Sequence, residues 1–186
     1  MTLTDLLIPT YRNMLRTLRG LLDKAEGQLG EAHAEALLTA CLAPDMFPLA
    51  TQIRFACVQA QDGPLRLLGQ SLEPLSELLD EGRNAGERTG TLAEARERID
   101  EALAFLDGLS ADALDQLPAH DPLTLTLPMG MTFDLTREQL ARDWAIGQFY
   151  FHVMAAYAIL RNSGVEIGKA DYVPHMFAYL RPATVD

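Results

Sequence analysis

Apolar residues recur at steps of three and four in four long stretches of the chain, and this periodicity predicts four helices. In the first, from about Thr4 to Gln28, the stripe is Leu7, Tyr11, Met14, Leu18, Leu21 and Ala25. Pro9 lies near its first turn, where a missing N–H costs little, and Gly27 and Gly30 end it. A short helical piece, Glu31 to Cys41, leads into the loop Ala43-Pro44-Asp45. The second long helix starts near Phe47 with Asp45 as its cap and turns Leu49, Ile53, Ala56 and Ala60 inward, with Gln52 able to share that face. Gly63-Pro64 should kink or break it, although Leu65, Leu67 and Leu68 suggest that it resumes. Thr91 with Glu94 is a capping box opening the third helix, whose seam is Leu92, Ala95, Ile99, Ala102 or Leu103, and Leu106, and Gly108 closes it. The fourth begins at Thr136 with Gln139 and stops at Gly164. Leu140, Trp144, Gly147, Phe151, Met154 and Ala158 form one apolar row there, and Gln148, His152, Ala155 and Ile159 an adjoining one.

The intervening segments have other patterns. From Gln70 to Gly90 the periodicity lapses, as expected of a long crossover with a helical fragment around Leu75 to Leu79. Leu123 to Leu127 alternates Leu with Thr, turns at Pro128-Met129-Gly130, and resumes over Met131 to Leu135. This is a β-hairpin signal, with the threonines outward and Leu123, Leu125, Leu127 and Phe133 covering one end of the bundle. After Gly164 the tail, 165–186, is too apolar for a solvated linker and should pack on the bundle or on a dimer partner. The expected architecture is a single all-α domain over 1–186, a four-helix bundle with a small β-hairpin inserted before the last long helix.

Charge narrows the range of functions. The chain carries 15 Lys and Arg against 26 Asp and Glu, a formal net charge of −11, with no basic stripe to override it. Nucleic acid and an anionic membrane surface are therefore excluded as partners. No residue between Asp143 and Arg161 is charged, but Gln148 and His152 near the middle of this run argue against a membrane span. The N-terminus has no signal-peptide pattern, and Cys41 and Cys57 have neither metal-binding nor disulfide-framework spacing, so reduced thiols and a cytoplasmic location are expected. The acids and arginines between Glu94 and Glu101 read as a solvated helix face. No phosphate loop, nucleophile elbow or catalytic carboxylate pair is present.

The segments LAPDMFPLATQ, Leu42 to Gln52, and FYFHVMAAYAILRNSGVEIGKADY, Phe149 to Tyr172, resemble the DinB/YfiT-like superfamily of helical bundles, and within it a branch of uncharacterised bacterial proteins of about this length. The resemblance covers nearly the whole chain and implies a DinB-like four-helix bundle. It also implies a divalent metal held by three histidines, one on the second helix and an H-x-x-x-H pair on the fourth. The pair's second member stands nine residues before the Arg of a Leu-Arg-x-x-Gly ending. Here Leu160, Arg161 and Gly164 match that ending and His152 stands at the matching distance, but Gln148 occupies the partner position and Gln52 is the nearest candidate on the second helix. The implied metal set is thus His152, Gln148 and Gln52, a degraded triad. Amide oxygens are weak donors to zinc, copper or nickel, so no cofactor is expected beyond a weakly bound divalent metal. His33, His120 and His175 lie elsewhere along the sequence.

Two functional readings follow. One is a non-catalytic or small-ligand-binding homodimer that keeps the scaffold, with His152, Gln148 and Gln52 sharing a polar pocket in which His152 pairs most simply with Gln148 at i, i+4. The alternative is a metal- or thiol-dependent transferase or hydrolase using His152 as ligand or general base. The unusually wide apolar face of the fourth helix and the apolar tail suggest a two-fold dimer. The sequence leaves open whether the protein is an enzyme.

Overall fold

The structure, a computed structural model, describes residues 1–181; the end of the predicted tail, 182–186, lies outside the described residues. Helix α1 spans Leu3–Leu29 and begins at a capping box made by Thr2 and Asp5. Its inward stripe is the one the sequence predicts, with Leu7, Tyr11, Met14, Leu18, Leu21 and Ala25 all buried. Short α2, Glu31–Ala36, runs into a 3-10 turn, and α3 follows over Leu49–Leu67. Helix α4 spans Ser76–Asn84 and α5 spans Leu92–Asp107. Strands β1, Pro122–Thr126, and β2, Thr132–Thr136, pair antiparallel with Leu125 opposite Phe133. The last long helix is continuous over 137–162: an α turn, α6 (Arg137–Gln139), a π turn (Leu140–Ala145), and then α7 (Ile146–Asn162). Helix α8, Lys169–Tyr172, and a 3-10 turn close the described chain.

Helices α1, α5, α3 and α7 pack in that order around one core, each against its neighbours in the ring, so that α3 lies flush against α7. Arg137 holds the end of the ring together. Its buried guanidinium donates to the carbonyls of Leu67 (2.6 Å) and Leu114 (2.8 Å), supplying a partner to a carbonyl that the end of α3 leaves free. At the other end of α7, Gly164 (φ +91°) closes a Schellman motif: Gly164 N–H bonds Arg161 O and Val165 N–H bonds Leu160 O. Helix α4 docks on the outside of α3 through Gly82, where an added Cβ would lie 2.5 Å from the Phe55 ring.

The structure departs from the sequence expectations in several places. Asp45 does not cap α3; Pro48 is the N-cap residue, with no side-chain bond. Gly63-Pro64 does not end α3, which continues to Leu67 because Gly63 lets it close to contact distance with Ala145 and the Tyr11 hydroxyl. The helical fragment expected at Leu75 to Leu79 is the longer α4. In the hairpin, Leu125 is fully buried and the threonines on β1 and Thr132 are exposed as expected, but Phe133 is exposed and leans on Trp144 instead of capping the core.

The largest departure is the face of α7. Phe149, His152, Val153, Ala156, Ile159 and Leu160 are buried, whereas Phe151 is 60% exposed and Met154 49%. The π turn accommodates an extra residue just before α7, shifting the phase of everything after it relative to a regular helix counted from Thr136. The supposed solvated face of α5 is also partly internal. Arg96 crosses to Asp23 and Glu26 of α1, and Arg98 to Glu81 of α4, so these residues tie helices together.

Candidate functional site

His152 reaches the seam between α7 and α3 and is only 8% exposed. Its ring lies edge-on to two phenylalanines, Phe55 at 5.3 Å and Phe151 at 5.2 Å between centroids. Phe55 in turn meets Phe47 at 5.7 Å, so the imidazole is boxed by an aromatic row that runs outward to the surface. Its polar partner comes from α3: Gln52 Oε1 stands 2.9 Å from His152 Nδ1. Gln52 is itself 2% exposed, and its Nε2 donates to the Phe47 carbonyl at 3.2 Å. With the amide nitrogen committed to a carbonyl, the amide oxygen faces the ring, which assigns the proton to Nδ1 and the lone pair to Nε2.

Burial pushes the His152 pKa down to about 4, so the ring is neutral at physiological pH. The expected His152–Gln148 pair does not form. Gln148 is half-buried one turn before His152 and is not hydrogen-bonded to it. Gln52 takes its place because the Phe47 carbonyl already holds its amide in position, so that pairing orders fewer free torsions.

The three residues do not make a chelating set. Gln52 and Nε2 of His152 address opposite edges of the imidazole, so one ion cannot take both while the Nδ1–H···Oε1 bond stands. His33 and His120 are exposed, and His175 is half-buried with Nδ1 enclosed and without a hydrogen bond among the described residues. Among the described residues, no three His, Cys, Asp or Glu side chains converge as a metal site. The donors present therefore do not fit a tightly held transition metal, which needs three or more charged or imidazole ligands. Cys57 is equally unreactive: it is fully buried, and burial pushes its thiol pKa up to about 12.

A second polar region lies outside the residues that the sequence points to. A cavity of about 690 Å³ opens between α3, α4 and α5, with Arg54 in its wall. A signal was available, since Arg54 is the only charged residue between Asp45 and Asp62 and sits beside the inward Ile53.

The ring of four long helices, the inserted hairpin and the α3–α7 site together define a DinB-like helical bundle. A crystal structure of a DinB family member protein from Shewanella denitrificans is similar over 99% of this chain and 96% of its own, with a TM-score of 0.75 and 32% identity. Residues 3–173 match the family described as a domain of unknown function, DUF1993, and the chain belongs to that family. No curated protein matches it. Among the described residues no helix is long and apolar enough to cross a membrane.

Proposed function

We propose that this DUF1993 protein is a non-catalytic, small-molecule-binding homodimer that keeps the DinB-like scaffold while its metal site has degraded. The observation that carries this reading is the Gln52–His152 hydrogen bond inside its aromatic box. It commits Gln52 to orienting the ring, whose two flanks are covered by Phe55 and Phe151. A hydrolase or transferase working at His152 would need further ligands or proton carriers around the ring, and among the described residues no three His, Cys, Asp or Glu side chains converge as a metal site.

The dimer is supported by the outward face of α7. Phe151 and Met154 lie on one side of α7 within the uncharged run between Asp143 and Arg161, and the half-exposed Phe47 continues the apolar surface through Phe55. Two copies of such a face can cover each other about a two-fold axis without burying an unpaired charge. Two free thiols, Cys41 and Cys57, suit a reducing cytoplasm.

Metal analysis of the purified protein tests the central point. After dialysis against a mild chelator the protein should hold substoichiometric zinc, iron, manganese, nickel and copper, and His152→Ala should hold no less. Stoichiometric metal that survives dialysis and disappears in His152→Ala would overturn the reading and restore a metalloenzyme.

A further inference from the structure

Arg54 is 4% exposed and lines the cavity between α3, α4 and α5, yet its donors are poorly used. Nη1 bonds the Ala50 carbonyl of its own helix at 3.1 Å. Nε is buried without a hydrogen bond among the described residues, 3.5 Å from Glu81 Oε2. Glu81 is instead oriented by Arg98, which donates to both of its oxygens through Nε and Nη2. Nη2 of Arg54 has no hydrogen bond among the described residues and lies beside Gly90 in the cavity wall. Gly90 (φ +71°) keeps that space clear: an added Cβ would come within 2.9 Å of Nη2 and 2.3 Å of the Glu94 carboxylate.

A buried guanidinium with an unused donor facing a cavity calls for an acceptor, and a charged acceptor is the strongest. A bare anion meets opposition, however. The lining carries five carboxylates (Glu77, Asp80, Glu81, Glu94, Glu97) against three arginines (54, 88 and 98). Glu77 and Glu97 are exposed and have no ion-pair partner among the described residues. A molecule with both charges satisfies the two ends at once.

We propose that this cavity binds a small zwitterion of the amino-acid type, with its carboxylate on Arg54 and its ammonium on Glu77 and Glu97. A purely structural role for Arg54 explains its position less well. The brace between α4 and α5 is already made by Arg98 with Glu81, and Arg54 adds to it only the longer contact. The inference rests on reading the chain as a ligand-binding bundle. It is separable from the His152 argument, because metal analysis reads the α3–α7 seam and ligand titration reads the cavity.

The test is isothermal titration of the full-length protein with a panel of proteinogenic amino acids and 6-aminohexanoate. Hexanoate and hexylammonium serve as single-charge controls. At least one zwitterion should bind once per chain with a Kd of ~1 mM or tighter, and each single-charge control at least ~tenfold more weakly. Arg54→Met, with its helix content checked by circular dichroism, should abolish binding. Removing a buried ion can unfold the chain, so the exposed double variant Glu77→Gln/Glu97→Gln provides a second arm. It should melt like the wild type and bind the zwitterion at least ~tenfold more weakly. The proposal is overturned if no panel member binds, if hexanoate binds as tightly as the zwitterion, or if the folded variants bind like the wild type.

Discussion

Lowering the pH should selectively weaken the α3–α7 seam through His152. The imidazole is held neutral by burial, with its pKa depressed from 6.5 to about 4 in the folded protein. Between those values the unfolded chain binds the proton and the folded chain does not. The stability contributed by His152 is therefore full above the unfolded pKa and is lost as pH falls from about 6.5 toward 4. Going from about pH 7.5 to about pH 4.5, the loss from this one group amounts to about 2.5 kcal/mol.

Carboxylates with lowered pKa values, such as Asp171 beside Lys24, also cost stability in acid. The measurement is therefore the difference between the wild type and His152→Gln, from which distant groups cancel. Urea unfolding followed by circular dichroism gives both stabilities at each pH. At neutral pH the variant should be less stable by about 1–2 kcal/mol, for lost ring contacts with Phe55 and Phe151. At about pH 4.5 the gap should close or change sign, since the variant has nothing to protonate at that position. A gap that stays constant across this range would refute the claim that His152 is buried, neutral and uncompensated.

Light scattering at micromolar concentration should give a mass near twice the 20.5 kDa of one chain, and Phe151→Glu, on the exposed α7 face, should return the monomer. A wild-type mass near 20.5 kDa would remove the dimer. Leu125→Asp places an unpaired charge at a fully buried hairpin position and should cost on the order of 2–4 kcal/mol. An unchanged melting temperature would show that the hairpin is peripheral.

Local chemistry determined a good deal of this protein. Helix periodicity placed α1, and two capping boxes, at Thr91 and Thr136, fix where α5 and the last helix begin, because a cap depends on residues within one turn. The α1 stripe and the Leu/Thr alternation of β1 were legible for the same reason. The apolar run of the last helix also marks His152 as the core-facing histidine, while Gln52 enters only through the resemblance, as a candidate to share its pocket.

Only the tertiary structure decided the rest. Apolar residues lie on both sides of α7, so the sequence could not choose between the Phe151/Met154 face and the Phe149/Val153 face; the π turn and the packing against α3 made that choice. Whether Gly63-Pro64 breaks the helix or only interrupts its pattern was open in sequence; in the fold α3 runs through it to Leu67, with Gly63 close against Ala145 and Tyr11 across the core. The partner of His152 is one hundred residues away rather than one turn away, because Gln52 is held by the Phe47 carbonyl and Gln148 is not. Arg54 looks in sequence like an ordinary charge on a helix. Its burial and its idle donors arise only when α4 and Gly90 close around it, a long-range arrangement that no local pattern encodes.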